Sequence, residues 1–160
     1  MTKIQKSLNS YITTEMDYWD FSGVVRVIQN GRIIFETCRG YSNIEFGIKN
    51  TMETRFTVAS VAKQFTAFAI MILYDKGLLQ LNEKANLYLP PDMQLPPKIT
   101  VHHLLSHTSG LHNNYNFEDD FYVGGDRKPY NKEQFFKNWI IREPIKKPGK
   151  EFEYNNSNYN

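Results

Sequence analysis

The segment that most constrains this chain is TVASVAKQFTAFAIMILYDKG, residues 57–77, in which Phe65, Ala67, Phe68, Ala69, Ile70, Met71, Ile72 and Leu73 leave almost no polar face. A helix that is apolar all round must be covered on all sides by other elements. The pattern predicts a helix from about Ser60 to Lys76, stopped by Gly77 at its carboxy-terminal cap. Its longest unbroken apolar run, Ala67 to Leu73, is far below the roughly 18 residues a bilayer span requires. It therefore reads as the central helix of a folded domain. A chain of 160 residues with 41% hydrophobic and 14% aromatic side chains can enclose such a core.

Two polar groups stand at the head of this helix, Ser60 and Lys63. Three-residue spacing places them on one helical face, so the amine can reach the hydroxyl. The residues three and four positions from Lys63 are Ala59, Ser60, Thr66 and Ala67, so no carboxylate on the same helix can pair with it. Desolvation and the positive end of the helix dipole would both push such a lysine toward the neutral amine, the form a general base needs. Ser60, at a helix start, also has a backbone N–H outside the intrahelical ladder, available to an oxyanion. The pattern alone is weak: with 8 serines and 13 lysines, about 0.65 Ser-x-x-Lys pairs are expected by chance. A capping serine beside a surface lysine accounts for the spacing equally well.

Elsewhere, Ile4, Leu8, Tyr11 and Ile12 fall at helical spacing, predicting an opening helix from about Lys3 to Met16. In GVVRVIQNGRIIFETCRG, apolar runs flank Asn30-Gly31, the dipeptide of a tight hairpin, which predicts antiparallel strands Val24–Gln29 and Arg32–Arg39. The Gly-, Asn- and Thr-rich stretch that follows reads as a loop. Cys38 excludes an internal disulfide and, on its strand, reads as a small buried thiol. Four prolines between Pro90 and Pro97 forbid regular structure, after which Thr100 is placed to cap a short helix over VHHLLSH, ended by Gly110. Asn131 to Arg142 is predicted to be amphipathic, with Phe135, Phe136, Trp139 and Ile140 inward. His103 and His107 are four apart but lack the glutamate of a zinc peptidase, so they read as packing around HTSGL rather than as a metal pair. Glu118, Asp119, Asp120 and Asp126 read as a solvated face, with calcium the outside alternative. A net charge of +2 without any basic block gives no nucleic-acid or membrane-surface footprint. The amino terminus carries no signal-like apolar run, so compartment stays open.

The ordered segments FTVASVAKQFTAFAIMILYDKGLLQLNEKANLYLP, ITVHHLLSHTSGL and PGKEFEYNNSNY resemble the serine β-lactamase and penicillin-binding-protein superfamily. They are most similar to its class C β-lactamase-like branch of D-alanyl-D-alanine carboxypeptidases and esterases. Ser-x-x-Lys is one of that superfamily's signatures. The resemblance implies an α+β fold, an antiparallel sheet with flanking helices. Residues 1–58 would hold a helix and hairpin, and 59–160 the nucleophile helix and a helical region. It implies Ser60 as nucleophile and Lys63 as its partner. It also puts the second motif, Tyr-x-Asn, on Tyr154 and Asn156, with the phenol moving protons and the amide holding Lys63 and a substrate carbonyl. Tyr41-Ser42-Asn43 also fits Tyr-x-Asn, but it precedes the serine, whereas Tyr154 follows the Pro-Gly lead-in.

The third motif, Lys-Thr-Gly or His-x-Gly, is expected after Tyr-x-Asn and is not found before Asn160. The chain is accordingly read as the amino-terminal part of a longer hydrolase, with carboxy-terminal strands missing and little turnover by itself. The activity implied is acyl-enzyme formation on amide, lactam or ester substrates, either small molecules or peptidoglycan peptides. No metal or organic cofactor is implied, and relatives usually act outside the cytoplasm. A sensor that acylates and stalls, or a structural fragment, are the alternatives.

Overall fold

The computed structural model describes residues 2–112 and 143–159. The helix predicted over 131–142 and the acidic run at 118–126 lie outside the described residues. The chain divides into two compact units, Met1–Thr57 and Val58–Asn160. Among the described residues no helix is long and apolar enough to cross a membrane.

In the first unit, helix α1 spans Lys3–Tyr18. Thr2 caps it, its Oγ1 accepting the Gln5 N–H while Gln5 Oε1 accepts the Thr2 N–H at 2.8 Å. This reciprocal pair satisfies two otherwise orphaned donors. Strands β1 (Gly23–Gln29) and β2 (Arg32–Arg39) pair antiparallel. Asn30 and Gly31 both adopt positive φ, at 50° and 74°, the mirror-image turn that matches strand twist. The register runs from Gly23 opposite Arg39 to Val27 opposite Phe35, then slips so that Ile28 faces Ile33. That extra residue is a bulge, which strengthens the local twist. Asp17 of α1 forms an ion pair with Arg39 of β2.

Two expectations for this unit need correction. Cys38 is exposed, not buried: side chains alternate along a strand, and with Phe35 facing inward, Glu36 and Cys38 share the outer face. The stretch after β2 is not wholly loop, because β3 (Tyr41–Asn43) and β4 (Ile48–Lys49) form a short antiparallel pair. Asn50 stitches it to the main hairpin through Arg39 O at 2.8 Å and Ser22 Oγ at 3.1 Å.

The second unit is built on a small core of Leu79, Ala85, Leu95, Ile99, Val101 and Leu111, against which Ile70, Leu81, Leu89, Leu104 and Leu105 pack. A 3-10 turn at Ala59–Val61 leads into helix α2, Ala62–Asp75. The helix ends where Gly77 turns to φ 70°, with Leu78 N–H on Leu73 O and Gly77 N–H on Tyr74 O. These are the two bonds of a Schellman end. Helix α3, Val101–Leu105, starts at Thr100, whose Oγ1 accepts the His103 N–H while His103 Nδ1 accepts the Thr100 N–H.

The expectation that α2 is covered on all sides also needs correction. None of its residues is fully buried, and Phe65 and Phe68 are 66% and 67% exposed. Lys63, Ala67 and Ile70 are the half-buried positions of its first two turns. Their spacing of four and three traces one stripe, so the described residues cover a single face of the helix.

Candidate active site

The turn before α2 sets the position of Ser60. Ala59 adopts φ 43°, a left-handed conformation unusual for a residue with a β-carbon, and Val61 N–H closes the 3-10 turn on Val58 O at 3.0 Å. Ser60 precedes that first closing donor, so its own N–H stands ahead of the turn's hydrogen-bond series. Its hydroxyl is approached from two sides. Lys63 Nζ donates to Ser60 Oγ at 3.1 Å, and the Tyr154 phenol lies 2.6 Å from the same oxygen.

Lys63 also donates to Asn156 Oδ1 at 2.8 Å, which ties α2 to a residue 93 positions along the chain. Its nitrogen lies 5.1 Å from the centre of the Tyr154 ring and 5.9 Å from that of Tyr159. Two oxygen acceptors and two aromatic rings thus surround this nitrogen. Among the described residues Lys63 makes no ion pair with a carboxylate. The Lys63 ammonium, followed by the Ser60 hydrogen bond, holds the Tyr154 phenol below its ordinary value.

A buried platform supports these groups. Asn155, between Tyr154 and Asn156, is 2% exposed; its Nδ2 donates to Leu111 O at 2.6 Å and its Oδ1 accepts the Ser157 N–H at 2.8 Å. Ser109 Oγ donates to Asn158 Oδ1 at 2.5 Å. The Tyr159 hydroxyl donates to Leu105 O at 2.9 Å, and burial raises its phenol above the ordinary range. The segment 154–159 is thereby fixed to the end of α3 and to the residues that follow it.

His107, read from sequence as packing, lies at the centre of this platform. Its imidazole stacks against Tyr154 at 4.6 Å and Tyr159 at 5.2 Å, and meets Phe152 edge-on at 6.0 Å. Its backbone has φ 56°. Its sequence signals were the four-residue spacing from His103 and its place in HTSG, and neither pointed to this contact set.

The structure thus brings Ser60, Lys63, Tyr154 and Asn156 together within the second unit. Tyr41 and Asn43 belong to the first unit, where Asn43 Oδ1 accepts the Phe46 N–H at 2.8 Å. Among the described residues no cluster of three or more His, Cys, Asp or Glu side chains is arranged to hold a metal ion. The arrangement is a serine hydroxyl flanked by a phenol and a lysine nitrogen.

Comparison with known proteins follows the same lines. The family model described as Beta-lactamase matches residues 8–160. Protein flp of Staphylococcus aureus (strain COL) is 27% identical over 165 residues, covering 97% of this chain and 31% of that protein. The putative penicillin-binding protein PbpX of Bacillus subtilis is 36% identical over 105 residues, covering 64% of this chain and 26% of its own. The crystal structure of a penicillin binding protein from Bacillus halodurans superposes with a TM-score of 0.72 at 30% identity, covering 92% of this chain and 44% of that one. The chain therefore spans about a third of the length of the curated relatives it matches. The fold is the β-lactamase/transpeptidase-like α+β fold, in part.

Proposed function

Because the chain belongs to the β-lactamase family, we propose that Ser60 is the nucleophile of a serine hydrolase that forms an acyl-enzyme on an amide, lactam or ester carbonyl. One observation carries the reading: the Tyr154 phenol at 2.6 Å and the Lys63 nitrogen at 3.1 Å converge on one serine oxygen. Of the two candidate bases, Lys63 and Tyr154, the phenol that Lys63 and Ser60 hold below its ordinary value supports Tyr154. The phenolate takes the Ser60 proton as Oγ bonds to the carbonyl carbon. The phenol then returns that proton to the leaving nitrogen or oxygen as its bond to carbon breaks. Water repeats the sequence in reverse: it loses a proton to the phenolate, attacks the acyl carbon, and Ser60 departs reprotonated. Lys63 orients Ser60 and stabilises the phenolate, while Asn156 holds Lys63. The Ser60 N–H is the first donor to the oxyanion.

The relatives named as penicillin-binding proteins make a penicillin the first probe of the substrate class. Intact mass is measured after incubation with a penicillin and, separately, with a fluorophosphonate, on wild type and Ser60→Ala. An adduct on wild type alone supports the reading, and its decay with time marks turnover by the protein. A persistent adduct would instead favour a penicillin sensor. Absence of any adduct on wild type overturns the proposal.

A further inference from the structure

No hydrogen bond joins His107 to Ser60, yet it is bonded to the segment that carries Tyr154. Its Nδ1 receives the backbone N–H of Asn155 at 3.1 Å and lies 3.2 Å from Asn158 Nδ2. A peptide N–H can only donate. The orientation of the Asn158 amide is fixed separately, because its Oδ1 accepts from Ser109 Oγ, so the nitrogen is what faces His107. Two donors on one ring nitrogen require that nitrogen to present its lone pair, leaving the imidazole neutral with its proton on Nε2.

We propose that His107 is a positioning residue for this site: as the neutral Nε2–H tautomer it clamps the Asn155 peptide and backs the Tyr154 ring, and its protonation releases the phenol from Ser60, closing the site in acid. This rests on the hydrolase reading for its consequence in acylation, but not for the clamp itself. Protonated His107 would direct an N–H at two other donors, and the Asn155 peptide would have to move. Asn155 lies between Tyr154 and Asn156, so both partners of the Ser60–Lys63 pair would move with it. Among the described residues, the titratable groups against His107 are Lys63 from α2, Tyr154 and Tyr159, whose rings lie beside the imidazole, and Glu153. The Glu153 N–H donates to His107 O at 2.8 Å, and its carboxylate is paired with Lys146 at 2.9 Å. None supplies a carboxylate that would favour the imidazolium. Burial first, and the Lys63 charge second, hold His107 below its ordinary value.

The test combines a direct view of the ring with two substitutions. Nitrogen-15 NMR of the wild-type protein reports which ring nitrogen carries the proton, and 13Cζ-labelled tyrosine reports whether Tyr154 moves as His107 titrates. His107→Asn keeps an acceptor the same number of bonds from the backbone and tolerates positive φ, but does not titrate. His107→Phe keeps the ring and loses the acceptor. The rate of fluorophosphonate labelling of Ser60 is followed from about pH 8 to about pH 5, the range of histidine switching. The expected results are an unprotonated Nδ1 at neutral pH and a wild-type rate that falls about tenfold or more in acid. His107→Asn is expected within about threefold of wild type at the alkaline end, where a lost ring stack is its one cost, and to keep only the fall that protonation of the Tyr154 phenolate imposes, without the further acid limb of wild type. His107→Phe is expected slower by about tenfold at every pH. A proton on Nδ1, or parallel acid limbs in wild type and His107→Asn, overturns the inference. If Ser60 does not label at all, the hydrolase reading falls, and the clamp is judged by whether the Tyr154 signal follows the His107 titration.

Discussion

Asn155 offers the sharpest test of how the site is held, because its side chain is enclosed and both ends are engaged. Asn155→Ala removes the donor to Leu111 O at 2.6 Å and the acceptor of the Ser157 N–H at 2.8 Å. Leu111 is 2% exposed, so its carbonyl has no ready access to water. Depriving a buried carbonyl of its donor costs about 1–3 kcal/mol, and losing the second bond costs about 1 kcal/mol more. A destabilisation of about 2–4 kcal/mol is expected, read from urea unfolding with an unchanged denaturant slope. Asn155→Asp refines the test, since its shape is the same. The carboxylate would keep the Ser157 bond but set a charged oxygen against Leu111 O. Only the protonated acid can donate there, so the folded-state pKa of that aspartate is raised above its unfolded value. Its stabilising proton is then lost as pH rises, and the gap between Asn155→Asp and wild type widens from acid to neutral pH. Comparison with wild type at each pH cancels other titrations. An Asn155→Ala protein within about 1 kcal/mol of wild type, or an Asn155→Asp gap that narrows toward neutral pH, would refute the platform argument.

Tyr154→Phe is expected to slow Ser60 acylation by about 10²- to 10⁴-fold, the usual worth of a general base, measured by adduct formation at fixed probe concentration. Gly110→Ala would place a β-carbon 2.1 Å from Lys146 O on a backbone at φ 72°; strain and overpacking together predict a loss of about 2–5 kcal/mol in urea unfolding. At Ala59, Gly is expected to be neutral or stabilising, whereas Val should lower the melting temperature through about 1–2 kcal/mol of left-handed strain. The depressed His107 value carries its own sign. Between the folded and unfolded pKa the unfolded chain binds more protons, so stability is full above the unfolded value and declines as pH falls through that window. His107→Asn should flatten this limb in pH-dependent unfolding.

Local signals were legible where a single residue's backbone preference decides the outcome. Asn30-Gly31 announces its turn, Gly77 its helix end and Thr100 its cap, because few residues adopt those conformations cheaply. The hairpin β3–β4 was not legible, since strands of three and two residues are too short to display a period. The apolar sweep of α2 suggested complete cover, yet composition says only which surfaces avoid water, not which elements are present to cover them. For the site, the Ser60–Lys63 spacing suffices to put two groups on one face, while Tyr154 and Asn156 came from resemblance, being far along the chain. His107 was legible only as one of two histidines four apart and as part of HTSGL, neither of which gives its role; its part depends on a left-handed backbone and on two donors that arrive from residues 155 and 158.

The uneven behaviour of the tyrosines gives the protein a built-in optical reporter. Lys63 and Ser60 draw the Tyr154 phenol down, whereas Glu83 and burial move Tyr88 and Tyr159 upward. In an alkaline difference spectrum, phenolate absorbance from Tyr154 therefore emerges ahead of those two. Anything that seats itself at Ser60, or displaces Lys63, alters that early rise, so occupancy can be followed by ultraviolet absorbance with an unlabelled compound and no chromogenic leaving group.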